Sequence, residues 1–393
     1  MNPFVKFWSI RRIFKKGRLI GCLILVALVM APLVCALIFS ESMIEGITNK
    51  YIYLSDGHIQ ISNFDKTTTN LEELNKNEMI MSADEVITGY GLMYSSTGTS
   101  SVSIKGVETS YFNEQRLAQI TFETEELEES NLKGIAISRY TANKLNVKIG
   151  DRVALMIVPD TSNAVPRPVL VRVEAIFHSG YDQLDQMLSY VDISYAETLF
   201  TSTSARTCEI IAQTDYMERL TEVISSINAP MNNVTTWDQH NISVYTNFIT
   251  SKQMILIILL LVVVVAAFYT SSVAQQMIQD DIKPISTAKL IGMSDSMVRK
   301  SVFLSVCLVA FVGMILGVIL GIAIGYSLGP ALSKLSNIGL ESLSFYLLDF
   351  DVHIPWASVL VLSAFLLVLS NVAVWLTLRK TRRITPIQLF SNS

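Results

Sequence analysis

Residues 254–274 read MILIILLLVVVVAAFYTSSVA, a run of 21 positions without a charged side chain. At 1.5 Å per residue, such a run forms a helix about as long as the roughly 30 Å hydrocarbon core of a bilayer. Three more uncharged runs of similar length lie at residues 19–39, 302–328 and 356–378. We therefore predict a membrane protein with four transmembrane helices.

Composition supports this prediction. Of the 393 residues, 50% are hydrophobic and only 16% are charged, and the mean hydropathy is +0.42. Soluble domains usually carry about 25% charged residues, and disordered chains carry few apolar ones. Both classes are therefore excluded.

The charges are unevenly divided along the chain. Residues 41–250 hold 28 acidic and 14 basic side chains, whereas the remainder carries a net charge of +10. Basic residues beside membrane spans tend to stay in the cytoplasm, so we place both termini there and expect a protein of the cell inner membrane. The predicted order is a basic cytoplasmic N-terminus (1–18), span one (19–40), a large extracytoplasmic, periplasmic domain (41–250), span two (251–276), a cytoplasmic segment (277–300), span three (301–328), a short outer loop (329–354), span four (355–378) and a cytoplasmic tail (379–393).

The large outer domain shows strand patterns. Apolar and polar residues alternate at 58–61, 101–104 and 169–173, which is typical of half-buried strands. Residues 135–158 read as strand, helix and strand, with Ser138 as the helix cap, and a second helix is expected over 215–227. We predict an α+β domain with mixed strands, and a projecting hairpin at the proline-containing residues 159–168.

No pattern of catalytic or metal-binding residues stands out. The five glutamates between residues 123 and 129 read as a solvated face, and the four histidines lack paired-ligand spacing. The chain has no Gly-x-Ser-x-Gly motif and no phosphate-binding loop. We therefore predict no enzyme activity, no metal, no bound cofactor and no nucleic-acid partner, so that energy for any driven work comes from another subunit. Because no ionisable residue interrupts a span, an ion-coupled carrier is disfavoured.

Span three carries Gly313, Gly317, Gly321 and Gly325 at four-residue spacing. This spacing puts the glycines on one stripe of a helix, where small residues let two helix backbones approach closely. The stripe predicts packing against the chain's own spans, or a seam with span one or with a partner permease.

The cytoplasmic segment between spans two and three contains a short amphipathic pattern. A helix beginning at Pro284 and ending at Gly292 would have an apolar face formed by Ile285, Ala288, Leu290 and Ile291. Such a helix either lies in the membrane interface or inserts into a groove on a soluble partner.

The same segment carries a resemblance to a known family. Residues 288–294 read AKLIGMS and resemble the LKALGAS element of FtsX-like (MacB-type) permeases of ABC transporters. The glycine-rich span that follows, and the order of one span, large outer domain and three spans, are similar too. Residues 145–153, 265–268 and 385–389 resemble the Lol lipoprotein-releasing permeases, LolC and LolE, although the hairpin at 159–168 is shorter than the hook by which LolC-type subunits hold their carrier.

This resemblance implies a mechanism. Such permeases pair with a second permease subunit and with a cytoplasmic ABC ATPase dimer, which binds ATP and Mg and whose closure moves the outer domains by mechanotransmission. In the Lol case the substrate is a lipoprotein, which passes from the membrane lipid to a periplasmic carrier. The alternatives are a MacB-like peptide or drug exporter and an FtsX-like regulator of a cell-wall hydrolase.

Two sets of residues follow as expected sites. The expected contacts with the ATPase are Lys283, Pro284, Ile285, Ala288, Lys289, Leu290 and Gly292. The expected lipid or substrate entrance lies at the outer ends of spans one and two and comprises Phe39, Met43, Ile44, Ile47, Ile249, Met254 and Ile255.

Overall fold

The structure is a computed structural model that describes residues 17–65, 70–157, 168–200, 206–227, 230, 233–281, 285, 287, 293–336 and 352–380. The chain divides into two compact units. The helical unit comprises Met1–Met43, Phe248–Gly339 and Phe350–Ser393, and the sheet unit comprises Ile44–Asn247 and Leu340–Asp349. All but the last residue of the predicted hairpin at 159–168, and most of the segments expected at 1–18, 329–354 and 379–393, lie outside the described residues.

Four long helices are described, each long and apolar enough to cross a membrane. They are α1 (Gly17–Tyr51), α9 (Ile242–Asp280), α10 (Asp295–Ser336) and α11 (Trp356–Lys380). In the helical unit they share one apolar core, to which Met30, Val34, Val263, Val306 and Leu366 contribute buried side chains. Several of these helices run beyond the predicted spans, because the polar residues flanking each apolar run are compatible with continued helix.

The sheet unit is built on ten strands and seven short helices among the described residues. The strands are β1 (Ile59–Ser62), β2 (Ile80–Tyr94), β3 (Thr99–Val107), β4 (Thr121–Thr124), β5 (Lys133–Ser138), β6 (Arg152–Ile157), β7 (Pro168–His178), β8 (Leu188–Asp192), β9 (Arg206–Ala212) and β10 (Val234–Thr236). The helices are α2 (Leu71–Asn75), α3 (Glu114–Leu117), α4 (Arg139–Leu145), α5 (Asp182–Asp185), α6 (Ile193–Leu199), α7 (Leu220–Ser226) and α8 (Trp237–His240).

Pairing closes six of these strands into a barrel. β2 pairs with β3, β3 with β8, β8 with β5, β5 with β7, β7 with β6, and β6 returns to β2. Two of these pairs, β3 with β8 and β5 with β7, are parallel, as expected of a mixed sheet. The barrel encloses an apolar core that includes Met93, Ile104, Ile137, Leu155 and Val173.

The long strand β2 takes part in both the barrel and an extension of the sheet. Its second half pairs with β6 in the barrel, whereas its first half pairs with β9, which continues the sheet to β1 and β10. This extension has a separate core around Ile59, Phe64, Ile210 and Val223. One continuous strand therefore joins these two hydrophobic cores of the sheet unit.

Local sequence signals explain much of this fold. The side chain of Ser138 accepts a hydrogen bond from the Thr141 backbone N–H and caps α4, as expected. The helix expected over 215–227 is shorter than predicted: a 3₁₀ turn at Thr214–Tyr216 precedes α7, and Arg219 interrupts the two with φ −119° and ψ 44°. The Arg219 guanidinium donates to the Asp215 carbonyl and lies 5.0 Å from the centre of the Tyr216 ring, which stabilises the break.

Candidate functional site

The glycine stripe of α10 lies against α1. A Cβ atom added at Gly317 would come within 2.5 Å of Met30 Cβ, and one added at Gly321 within 2.6 Å of the Ala31 carbonyl oxygen. At Gly313 the nearest atom, the Leu23 carbonyl oxygen, would be 2.9 Å away. Such distances leave no room for a side chain, so these glycines let the two helices approach backbone to backbone.

The fourth glycine is less constrained. A Cβ at Gly325 would lie 3.4 Å from Ile38, which is ordinary van der Waals contact. The close seam therefore runs from Gly313 to Gly321. Within this chain the stripe faces span one, and the seam with a partner permease stays a prediction.

Polar side chains join the remaining spans inside the helical unit. The Ser271 hydroxyl of α9 bonds to the Thr377 hydroxyl and lies 3.3 Å from the Ala373 carbonyl of α11, and the Cys307 thiol of α10 contacts the Asn371 amide oxygen. In an apolar environment each such contact satisfies a polar group that would otherwise be left without a partner. These neutral contacts hold three spans together without placing a charge at membrane depth.

The segment expected to contact an ATPase is largely outside the described residues. Lys283, Pro284, Ala288, Lys289, Leu290 and Gly292 all fall there, and only Ile285 is described. Ile285 is helical and buried, and its backbone N–H donates to the Asp281 carbonyl at 2.8 Å. Helical structure is therefore present beyond the end of α9, and the other six residues remain a sequence-based expectation.

A buried group of charged residues lies in the sheet unit, and sequence reasoning missed it. Lys105 on β3 and Glu209 on β9 pair at 2.7 Å, and Arg116 on α3 pairs with Asp84 on β2 at 2.6 Å. Lys105, Arg116 and Glu209 are at most 1% exposed. Tyr111 completes this set, which we call the ionic cluster, because its ring lies 3.7 Å from the Arg116 guanidinium and its hydroxyl donates to Glu209 at 3.1 Å.

Burial has the largest effect on the pKa values of Lys105, Glu209 and Tyr111. It lowers the pKa of Lys105 and raises the pKa of Glu209, whereas the attraction between the two groups opposes both changes. Burial also raises the pKa of the Tyr111 hydroxyl well above its usual range. One sequence signal was available: Glu209 interrupts the apolar run 208–212, and a charge inside such a strand indicates a buried partner.

Comparison with known proteins identifies the helical part of the chain. A family model described as FtsX-like permease C-terminal matches residues 256–386. Residues 256–386 therefore carry the C-terminal domain of an FtsX-like permease. Permeases of this type are the membrane components of ABC transporters and work with a separate ATPase subunit.

Solved structures similar to part of the chain include two domains of ABC-type transporters, and no curated protein matches the chain. One is the extracellular domain of the noncanonic ABC-type transporter YknZ from Gram-positive bacteria, with 11% identity, a TM-score of 0.28, and 45% of this chain and 97% of that one covered. The other is the periplasmic region of MacB from Actinobacillus actinomycetemcomitans, with 12% identity, a TM-score of 0.30, and 47% and 91% covered.

The residues expected at a lipid or substrate entrance of the permease differ in exposure. Met254 and Ile249 are 59% and 38% exposed, Ile47 is buried, and Phe39, Met43, Ile44 and Ile255 are half-buried. Ile47 therefore presents no side-chain surface, and Met254 presents the most. Within the described residues, no group of three or more His, Cys, Asp or Glu side chains is placed to hold a metal ion.

Proposed function

We propose that this permease is the membrane subunit of a lipoprotein-releasing ABC transporter, in which a cytoplasmic ATPase dimer drives motion of an outer domain. The observation that carries the proposal is the FtsX-like domain at residues 256–386, together with the resemblance of residues 145–153, 265–268 and 385–389 to the Lol permeases. A second permease subunit, membrane lipid and a periplasmic carrier complete the proposed complex. The large domain then faces the periplasm and both termini face the cytoplasm.

The physical need for ATP follows from the proposed substrate. Moving an acyl chain out of a bilayer costs about 0.8 kcal/mol per buried CH₂, or roughly 12 kcal/mol for a chain of about 15 such groups. A lipoprotein with several chains therefore needs both a driven conformational change and an apolar surface that receives the chains. The exposed outer end of α9, near Met254, is the proposed surface.

Mild-detergent co-purification of the tagged permease, followed by mass spectrometry, tests the assignment. We expect an ABC ATPase, a second permease and acylated lipoproteins. An ATPase with a periplasmic adaptor would replace the lipoprotein substrate by a peptide or drug, and an ATPase with a cell-wall hydrolase would indicate a regulator. Recovery of no ATPase from an intact, membrane-inserted permease would overturn the assignment.

A matched pair of variants tests the coupling segment. Leu290→Asp places a charge on the expected apolar face, whereas Leu290→Met keeps that face apolar. We expect both proteins to insert in the membrane and only Leu290→Met to retain the ATPase on purification. Equal ATPase recovery with the two variants would show that Leu290 does not contact the ATPase.

Photo-crosslinking tests the entrance. A photo-reactive side chain at Met254 should capture lipoprotein acyl chains, whereas one at Val263, a fully buried position on the same helix, should not. Capture at Val263 but not at Met254, from an intact complex, would contradict the proposed entrance.

A further inference from the structure

The end of the first helix shows an unusual set of hydrogen-bond partners. α1 continues into one turn of π-helix at Ile52–Asp56 before Gly57 ends it with φ 70°. The last carbonyl groups of a helix have no partner within the helix and usually bond to water or to a cap. Here the Ile52 carbonyl accepts from the Gly57 N–H at 2.8 Å, and the next three carbonyls accept from side chains of the surrounding sheet.

Those side chains belong mainly to the ionic cluster. The Tyr53 carbonyl accepts from Arg116 Nε at 3.0 Å. Lys105 Nζ donates to the Leu54 carbonyl at 3.1 Å and to the Ser55 carbonyl at 2.6 Å. The Tyr190 hydroxyl of β8 also donates to the Leu54 carbonyl, at 3.0 Å. Four consecutive carbonyls are therefore held by protein groups.

Electrostatics favours this arrangement. The C-terminal end of a helix carries partial negative charge, which attracts cations. Lys105 and Arg116 supply two buried cations, and their counter-charges Glu209 and Asp84 sit on β9 and β2. The helix end is thus bonded, through two ion pairs, to β2, which joins the two cores, and to β9, which belongs to the extension of the sheet.

The chain that leaves the sheet unit is tied to the same place. The Asn241 amide, which lies just before α9, donates to Asp56 Oδ2 at 2.7 Å, and His240 lies 3.7 Å from Asp56 Oδ1. The Trp237 backbone N–H donates to the His58 carbonyl at 3.1 Å. The incoming and outgoing connections of the sheet unit are therefore bonded to each other.

We propose that Lys105 and Arg116 are positioning residues that lock the terminal carbonyls of the first helix into the sheet unit, so that a displacement of this helix moves the sheet instead of unwinding the connection. As regards a driven displacement the inference rests on the proposed function, but the lock itself is a property of this chain alone. Without the lock, residues 52–58 would act as a flexible joint.

The decisive variant removes the Lys105 part of the lock without leaving an unpaired buried charge. Lys105→Met combined with Glu209→Gln deletes both charges of one ion pair and both bonds from Lys105 to the helix end, and leaves an amide oxygen for the Tyr111 hydroxyl. Removing only Lys105 would leave Glu209 as an uncompensated buried charge. The control is Arg206→Met with Glu85→Gln, which removes an ion pair of 2.9 Å between β9 and β2, together with the 2.8 Å contact of Arg206 with Glu197, away from the helix end.

Hydrogen exchange of the full-length permease in lipid nanodiscs measures the result. In the lock variant, we expect amides of residues 52–58 to exchange at least about tenfold faster than in the wild type, since two bonds to a charged group are lost. Amides of β2 and β9 should keep their protection. The control variant should leave residues 52–58 unchanged.

Two results would contradict the proposal that Lys105 and Arg116 lock the helix end. One is unchanged exchange at residues 52–58 in the lock variant. The other is an equal loss of protection over the whole sheet, which would show that the ion pair only stabilises the fold. A second readout separates the lock from the proposed function: with the co-purified ATPase, ATP should change the distance between spin labels on the sheet units of the two permease subunits in the wild type and not in the lock variant. Absence of that change in the wild type would contradict the proposed function and leave the exchange result standing.

Discussion

The seam between α1 and α10 gives the most direct test of the helical unit. Gly321→Ala adds a Cβ that would lie 2.6 Å from the Ala31 carbonyl oxygen and 2.7 Å from Val34 Cβ. Both neighbours are backbone or backbone-linked atoms, so neither can rotate away. To restore an ordinary contact of 3.4 Å, the two helices must separate locally by the difference, 0.8 Å.

The magnitude follows from this separation. Overpacking of a well-packed core by one methyl group typically costs about 1–3 kcal/mol, and a gap of this size also weakens the dispersion contacts along the seam. Gly325→Ala is the matched control, because its Cβ would make ordinary contact with Ile38. Both substitutions gain the same helix propensity, at most about 1 kcal/mol, so the difference between them isolates the seam.

The assay is unfolding of the purified permease in mixed detergent micelles of increasing sodium dodecyl sulfate content, followed by tryptophan fluorescence. We expect Gly321→Ala to lower the free energy of unfolding by about 1–3 kcal/mol relative to Gly325→Ala. Gly317→Ala should behave like Gly321→Ala, and Gly313→Ala should fall between the extremes because its closest contact is 2.9 Å. Equal free energies of unfolding for Gly321→Ala and Gly325→Ala would contradict the inferred close contact between α1 and α10.

Three further predictions concern the sheet unit. Burial lowers the pKa of His58 to about 4, and its Nδ1 accepts from the Ala212 N–H at 3.2 Å. Because an unfolded histidine titrates near 6.5, the free energy of unfolding should fall by up to about 3 kcal/mol as the pH drops from 6.5 to 4. His58→Asn should abolish that part of the pH dependence in thermal unfolding. Cys208 is fully buried, and burial raises the pKa of its thiol, so maleimide should label it only after denaturation, and rapid labelling of the native permease would contradict this. Gly57→Ala forces a Cβ to 3.0 Å from the Ile210 backbone at φ 70° and should lower the melting temperature, corresponding to about 2 kcal/mol or more, whereas Gly21→Ala, with open space around it, should not.

The sequence alone was sufficient for features that repeat over short distances. Uncharged runs of 21 or more residues predict the four long helices, because a membrane-spanning helix can be predicted from the length and apolarity of one segment alone. The spacing of the glycines marks a close helix contact because it depends on one helix, and the strand, helix and strand within residues 135–158 follow from a cap and a turn. The ATPase contacts expected at residues 283–292 stay a prediction.

Other features depend on partners far apart in the chain. The stripe at Gly313–Gly321 predicts a close neighbour but does not say which one, since any small or flat surface would fit. Closure of the barrel requires β6 to return to β2 and β8 to pair with β3, and no local pattern specifies either pairing. The alternation at residues 101–104 correctly predicts which residues of β3 share a face. It also places Lys105 on the solvent-facing side, because the pattern of one strand cannot show that the end of α1 covers that side.

The contacts of α1 differ in kind along its length, and this difference bears on how force would pass through it. Against α10 the contact is steric: three glycines bring backbones together, and close-packed interfaces of this kind are stiff and transmit small shifts. In the sheet unit the contact is polar: the Tyr53, Leu54 and Ser55 carbonyls are held by buried cations. A set of directional bonds resists both sliding and rotation of the helix end that it holds. Within the helical unit α1 also has directional contacts, because Glu41 lies 3.5 Å from Lys252 Nζ of α9 and accepts from the Ser358 hydroxyl of α11 at 2.7 Å. If ATP displaces α1, as the proposed function requires, its movement therefore reaches the sheet unit through the directional bonds to the Tyr53, Leu54 and Ser55 carbonyls.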